Sequence, residues 1–166
     1  MEPKTPIRGA YWVDAGRLLA GEYPGDPESA RATDRLRRFE DAGVTVFVDL
    51  TERLELEPYS HLLGDGAGYE RRPIPDLGTV SAREYREILD LVDGALAAGE
   101  TVYLHCYGGI GRTGTVVALW LVRHGLDEGD AIARLAELRR NVPAAWMQSP
   151  QTRAQRRVVQ RWRRGG

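Results

Sequence analysis

The most constraining feature of this chain is the stretch TVYLHCYGGIGRTGTVVALWL over residues 101–121. A short β-branched apolar run leads into a glycine-rich loop, and a longer apolar run follows the loop. Such runs are typical of a buried strand and a buried helix. The stretch therefore predicts a strand–loop–helix unit whose loop lies at the carboxyl end of a strand, where ligands bind in α/β sheets.

Shorter patterns along the rest of the chain complete an α/β prediction. The expected strands lie over residues 11–24 (two strands with a turn at Ala15-Gly16), 44–50 and 69–74, the last limited to an edge by Pro73. The expected helices lie over 27–42 with Asp26 as N-cap, from Ser81 to Gly99, over 112–124, from Asp127, and from Ser149-Pro150. Strands that alternate with helices predict a mostly parallel, twisted sheet flanked by helices.

Composition narrows the class of protein. The 166 residues are 42% hydrophobic, which predicts one domain over residues 1–166. The net charge of −1 argues against nucleic-acid or anionic-membrane partners. No apolar run is long enough to span a bilayer and no hydrophobic leader is present, so we expect a cytoplasmic protein without a membrane partner. Cys106 is the one cysteine, which excludes an internal disulfide; we expect no metal, no cofactor and a monomer.

The glycine-rich loop has the composition of an anion site. Backbone N–H groups in such a turn can converge on one anion, and the start of the following helix adds further donors. The predicted phosphate-binding segment consists of Tyr107, Gly108, Gly109, Ile110, Gly111 and Arg112. The Arg112 guanidinium can hold two phosphate oxygens, and the same positive field favours a thiolate at Cys106. A thiolate among phosphate donors predicts nucleophilic attack on phosphorus; the alternative, a tight turn around an inert buried cysteine, explains fewer of these features.

The segment HCYGGIGRTG over residues 105–114 resembles the HCxxGxxR-Ser/Thr signature of cysteine-dependent protein tyrosine and dual-specificity phosphatases. Its Tyr-Gly-Gly variant is most similar to the kinase-associated phosphatase (cyclin-dependent kinase inhibitor 3) branch, and the resemblance extends from about Gly21 onward. It implies a dual-specificity-phosphatase-like fold. It also implies Cys106 as nucleophile, Arg112 as phosphate clamp, His105 as a residue that tunes the cysteine, and Thr113 as the hydroxyl that helps the thiolate leave.

A general acid is expected at Asp76, within Ile74-Pro75-Asp76-Leu77-Gly78. A departing alkoxide or phenoxide needs a proton, and a loop that follows a strand can carry the donor over the site. The local sequence alone favours a solvated turn aspartate. The resemblance favours the acid, because the acid loop of the family commonly has this pattern upstream of the signature.

Three further sets of residues are candidates for the same site. Gln151 and Gln155 are four apart, which predicts one helix face, and they resemble the QTxxQ element that positions the hydrolytic water in tyrosine phosphatases. Surface glutamines at this spacing are also common, so both interpretations stay open. Asp49 is expected at the rim, more as a cap for backbone N–H groups than as a catalytic group. The charged loop with Glu52, Glu55 and Tyr59 is a candidate for substrate contact.

These residues predict a metal-independent phosphomonoester hydrolase that forms a cysteinyl-phosphate intermediate. A phosphorylated protein, with phosphotyrosine as the first choice and dual specificity open, is the leading substrate. The alternative is a small non-protein substrate such as an inositol, lipid or sugar phosphate. Phosphoinositide-selective relatives tend to carry lysines in the loop, where this chain has Tyr107 and Ile110. A phospho-binding pseudophosphatase is disfavoured by the intact Cys106, Arg112 and Asp76.

Overall fold

The structure is a computed structural model that describes residues 1–163; residues 164–166, the end of the predicted domain, lie outside the described residues. A five-stranded sheet is flanked by helices on both faces. The strands are β1 Ala10–Asp14, β2 Leu18–Gly21, β3 Val46–Asp49, β4 Gly68–Arg71 and β5 Val102–His105. The helices are α1 Ser29–Asp41, α2 Ala82–Ala97, α3 Arg112–Arg123, α4 Glu128–Leu138 and α5 Arg153–Arg161. The predicted α/β class is confirmed.

The strand order β1-β2-β5-β3-β4 places β5 in the middle of the sheet. β2, β5, β3 and β4 pair in parallel, and β1 adds an antiparallel edge. The register aligns Gly21, His105 and Asp49 in one row at the carboxyl ends of three neighbouring strands. The loop that begins at Cys106 therefore starts from the centre of the carboxyl edge, where the sequence predicted a ligand site.

Both faces of the sheet are buried, because alternate residues of each central strand point to opposite sides. Tyr103 packs with Leu36 and Phe39 of α1 on one face, whereas Leu104 packs with residues of α2 to α5 on the other. Almost every residue of α3 is buried, from Arg112 to Val122. Burying each large apolar side chain stabilises the fold by roughly 1.5–3 kcal/mol, so this packing fixes β5 and α3 on either side of the loop.

Two predicted helix starts are wrong. α1 begins at Ser29 with Glu28 as N-cap, and the Asp26 carboxylate instead accepts a hydrogen bond from the Glu28 amide at 2.9 Å, which forms a turn before the helix. α5 begins at Arg153 rather than after Ser149-Pro150. The Ser149 hydroxyl is committed elsewhere, since it donates to the carbonyl of Ile110 at 2.6 Å.

Two irregular connections leave the carboxyl edge of the sheet. Residues 50–67 follow β3 and contain one 3₁₀ turn at Ser60–Leu62, and residues 72–81 follow β4, the edge strand predicted over 69–74. β3 neighbours β5 and β4 neighbours β3, so both connections start on the same side of the loop after Cys106. No helix within residues 1–163 combines the length and hydropathy that a membrane crossing requires.

Candidate active site

The signature loop, residues 106–112, lies between β5 and α3. Cys106 is 2% exposed. Gly109 has φ of 70°, and a Cβ there would lie 2.5 Å from the carbonyl carbon of Gly21, so only glycine fits. Gly111 is the N-cap of α3 and provides no side-chain cap. The first N–H groups of α3 therefore remain for a bound anion.

Arg112 is held by two other parts of the chain. Its Nη1 donates to Glu55 Oε2 at 2.8 Å and to the carbonyl of Ile74 at 3.1 Å, and its Nη2 donates to Glu55 Oε1 at 2.6 Å. A guanidinium has five N–H donors. Three are used by these contacts, which leaves Nε and one N–H of Nη2 for a ligand.

The charges of this pair reinforce each other. Only 2% of the Arg112 side chain is exposed, and 19% of the Glu55 side chain. The hydrogen bond from Arg112 lowers the pKa of Glu55. Burial opposes the charge of Arg112, but Glu55 and the nearby Cys106 and Asp76 outweigh burial and raise the pKa of Arg112. Both groups are ionised at neutral pH, so Arg112 is a fixed cation.

Asp76 contacts the same cation. It lies in the acid loop, residues 75–78, and its Oδ1 is 3.2 Å from Arg112 Nη2. Its side chain is 64% exposed, so solvent and substrate can reach it. The Gly78 amide donates to the Pro75 carbonyl at 2.8 Å and closes the turn. The loop thus carries a carboxyl group to the mouth of the signature loop.

A cavity of about 250 Å³ connects these groups. Its lining residues are Asp76, Leu77, Cys106, Tyr107, Gly108, Ile110, Gly111, Arg112, Gln151 and Gln155. Most of the candidate site residues therefore meet around one cavity, although they come from three segments of the chain.

His105 lies beneath the loop and faces away from the cavity. Its Nδ1 is 3.0 Å from the carbonyl of Cys106, which can only accept, so Nδ1 carries the proton. Its Nε2, 2.6 Å from the Tyr59 hydroxyl, is then the acceptor. Burial lowers the pKa of His105 and raises the pKa of Tyr59 well above its usual value. His105 is thus a neutral, buried support for the backbone at Cys106.

Asp49 and Tyr59 are buried rather than at the rim. Asp49, 2% exposed, accepts hydrogen bonds from the Thr51 amide and hydroxyl and from the Tyr69 hydroxyl, so the expectation of a cap is the better one. Tyr59, 2% exposed, is used by His105, which contradicts a substrate contact. Glu55 holds Arg112 instead of projecting toward a substrate. Sequence reasoning identified these polar residues, but it did not identify their partners.

Gln151 and Gln155 both line the cavity, but they do not share a helix face. Gln151 precedes the N-cap, Thr152, and lies outside α5. Gln155 is fully buried, and its Oε1 accepts from the amides of Gln151 and Thr152 at 3.1 and 3.0 Å. Its Nε2 donates to the carbonyl of Gly78 at 3.2 Å. Gln155 therefore joins the start of α5 to the acid loop.

Thr113 follows Arg112 in the first turn of α3. It is fully buried, and its hydroxyl has no hydrogen-bond partner among residues 1–163. Most buried hydroxyls in folded proteins have a partner. The Thr113 hydroxyl lies next to the signature loop and has a hydrogen bond to offer there.

Comparison with known proteins gives a family. Residues 23–126 match the family model Tc-R-P, described as the DSP-PTPase phosphatase of polymorphic toxin systems. This chain belongs to that phosphatase family. The predicted resemblance to tyrosine and dual-specificity phosphatases is thereby confirmed.

Individual proteins similar to this chain are also described as phosphatases. A putative tyrosine phosphatase, 067L, of Invertebrate iridescent virus 3 is 38% identical over 119 residues, which are 68% of this chain and 45% of that protein. The chain thus spans less than half of this viral relative. The structure of Tk-PTP in its active form is similar with a TM-score of 0.73 and 29% identity, covering 91% of this chain and 93% of that one. Kinase-associated phosphatase, with its catalytic-site cysteine replaced by serine, has a TM-score of 0.76 at 23% identity, covering 94% and 93%, which shows the shared fold.

Proposed function

We propose that this phosphatase hydrolyses phosphomonoesters without a metal, through a cysteinyl-phosphate intermediate at Cys106, and that phosphotyrosine in proteins is its substrate. The observation that carries the proposal is the meeting of Cys106, Arg112 and Asp76 around one cavity of about 250 Å³. A nucleophile, an anion clamp and a proton donor are the groups that this reaction needs.

In the first step the Cys106 thiolate attacks phosphorus, an S–P bond forms, and the bond to the leaving oxygen breaks. Arg112 binds two phosphate oxygens with its Nε and outer Nη2 donors while Glu55 holds the other edge. The loop amides and the start of α3 stabilise the charge that develops on the phosphate oxygens. Asp76, protonated at the start, gives its proton to the leaving oxygen.

In the second step water attacks the phosphorus of the intermediate and the S–P bond breaks. Asp76, now a carboxylate, takes the proton of that water. The Thr113 hydroxyl, which has no partner among the described residues, donates to the departing Cys106 thiolate. Gln151 lines the cavity with an amide outside the helix and orients the water.

Phosphotyrosine is favoured by the apolar groups at the mouth. Leu77 and Tyr107 are 53% and 62% exposed and both line the cavity, so they can hold an aromatic ring above the phosphate. Leu77 has φ of 61°, an uncommon conformation for leucine that fits a functional position. No lysine lines the cavity, since Lys4 is the one lysine in the sequence. A multiply phosphorylated inositol would therefore find Arg112 as its one cation there.

The deciding experiment compares the wild-type chain with Cys106→Ser. We expect hydrolysis of an aryl phosphate and of phosphotyrosine peptides in the presence of EDTA, and inhibition by vanadate. The serine variant loses turnover but still binds inorganic phosphate, because Arg112 and the loop amides remain. A metal requirement, or full activity in the serine variant, would disprove the proposed chemistry. Turnover of inositol or sugar phosphates, with no turnover of phosphotyrosine peptides, would instead reassign the substrate.

A further inference from the structure

A second groove opens beside the active-site cavity and shares Tyr107 and Gly108 with it. Its volume is about 400 Å³. Tyr23, Pro27 and Leu56 contribute apolar walls. Since the two spaces share a wall, a chain that places its phosphate at Cys106 has this groove next to it.

Hydrogen bonds of Tyr23 hold one wall of the groove. The Tyr23 amide donates to the Tyr107 carbonyl at 2.9 Å. The Tyr23 hydroxyl donates to the backbone carbonyl of Glu57. Tyr23 therefore ties the signature loop to the connection after β3. A groove whose wall is held by hydrogen bonds binds a flexible peptide with less ordering of the protein.

Carboxylates outnumber cations in the groove. Glu22, Asp26 and Glu57 line it together with Arg35. The Arg35 guanidinium is already engaged, because its Nη2 lies 3.5 Å from Glu22 Oε1 and 3.1 Å from the Tyr23 carbonyl. Asp26 and Glu57 have no ion-pair partner within the described part of the chain. Two carboxylates thus remain for an external cation.

The pKa of Tyr23 is raised by burial and also by the negative charges around the groove. Burial raises the pKa of Tyr23 to about 12, with further increases from the charges of Glu57, Asp49 and Asp26, while Arg35 opposes them. The phenol stays protonated, so it continues to donate to Glu57. The same field attracts a positively charged side chain to this part of the surface.

We propose that the groove binds the residues beside the phosphotyrosine of a peptide substrate and prefers an arginine or lysine side chain there. This rests on the proposed protein tyrosine phosphatase function. The aliphatic stem of such a side chain packs on Tyr23 and Leu56, and its cationic end reaches Asp26 and Glu57. A flanking glutamate would meet two like charges, so the groove also disfavours acidic sequences.

The test uses phosphotyrosine peptides that differ at one residue. Arginine, alanine or glutamate is placed in turn at each position from three residues before to three residues after the phosphotyrosine. We expect kcat/KM of the best arginine peptide to exceed that of the matched glutamate peptide by about fivefold, the scale of two exposed ion pairs. The preference shrinks at about 1 M salt, where charges are screened within roughly 3 Å.

Two double variants separate the effect of carboxylates in the groove from the effect of the protein's net charge. Asp26→Asn with Glu57→Gln removes both free carboxylates, and asparagine keeps the Oδ1 acceptor used by the Glu28 amide. We expect the ratio of arginine to glutamate peptide to fall toward one. Asp41→Asn with Asp65→Asn removes two exposed carboxylates outside the groove and leaves the ratio as in the wild type. Glu57→Lys inverts the preference.

Each outcome has one meaning. If the wild-type enzyme hydrolyses phosphotyrosine peptides equally well whatever the flanking charge, the proposed role of the groove is wrong and the proposed function remains intact. Equal loss of the preference in both double variants would also overturn it, since only net charge would matter. No hydrolysis of any phosphotyrosine peptide, with hydrolysis of non-protein phosphates, would overturn the proposed substrate itself.

Discussion

Glu55 and Arg112 form a two-point ion pair, with 2.8 Å from Oε2 to Nη1 and 2.6 Å from Oε1 to Nη2. The two contacts use the Nη1–Nη2 edge of the guanidinium and leave the Nε–Nη2 edge for a ligand. Glu55→Gln keeps the shape and removes the charge. We expect kcat/KM for an aryl phosphate to fall about tenfold or more, because a charge-assisted bidentate contact that orients Arg112 is weakened. Steady-state kinetics and the affinity for inorganic phosphate measure this loss.

Glu52→Gln is the matched control for that variant. Glu52 lies in the same connection and is exposed, and its amide rather than its carboxylate contacts Glu55. We expect kinetics close to the wild type. An equal loss in Glu52→Gln and Glu55→Gln would mean that the charge of the connection matters and the ion pair does not.

Asp76→Asn tests the proton donor. Asparagine cannot supply the proton, so turnover of phosphotyrosine or phenyl phosphate should fall by roughly a hundredfold or more. Turnover of aryl phosphates with strongly acidic leaving groups should fall much less, because they leave without a proton. The slope of log kcat/KM against leaving-group pKa measures the difference. A uniform loss across the series would assign the acid to another residue.

Gln155→Glu separates the two roles of this buried amide. A carboxylate still accepts from the amides of Gln151 and Thr152, but it has no proton to donate to the Gly78 carbonyl. We expect the acid loop to lose its hydrogen bond to residue 155. Turnover of substrates with poor leaving groups should then fall several-fold more than turnover of substrates with good ones. Thr152→Ala removes only the helix cap, which costs about 1 kcal/mol of stability. That variant should have a lower Tm and the same dependence of turnover on the leaving group as the wild type. A changed dependence in Thr152→Ala would contradict the role of the Gln155–Gly78 hydrogen bond.

Asp49 links stability to pH. Burial alone would raise the pKa of Asp49, but the hydrogen bonds from Thr51 and Tyr69 help to outweigh it and lower the pKa. A carboxyl group with a lowered pKa in the folded state stabilises it above its unfolded pKa of about 4, and this contribution is lost as pH falls through the lowered value. We expect Asp49→Asn to cost about 1–3 kcal/mol at neutral pH.

Thermal melts from neutral to acidic pH measure this linkage. The difference in Tm between wild type and Asp49→Asn should narrow as the pH falls below about 4, since the wild-type carboxylate is then protonated. Asp41→Asn, at an exposed position, should follow the wild type throughout. A constant difference at every pH would mean that the hydrogen bonds of Asp49, and not its charge, stabilise the fold.

The sequence by itself determined the strand, loop and helix around Cys106. Their signals lie in consecutive residues: a β-branched run, glycines where φ is positive or a Cβ would clash, and a long apolar helix. The row of strand ends followed from the parallel α/β pattern. Asp76 was predicted from the family resemblance, because its local sequence favours a plain turn.

Only the tertiary structure decided which polar residues support the loop. Glu55 lies 57 positions before Arg112 in the sequence, in an irregular connection without hydrophobic periodicity. How the loops cross the sheet edge also decides that Asp49 and Tyr59 are buried and that Gln155 contacts Gly78. Local propensities and spacing act over a few residues. Pairs between distant loops form only when the packed core has fixed where each loop begins and ends.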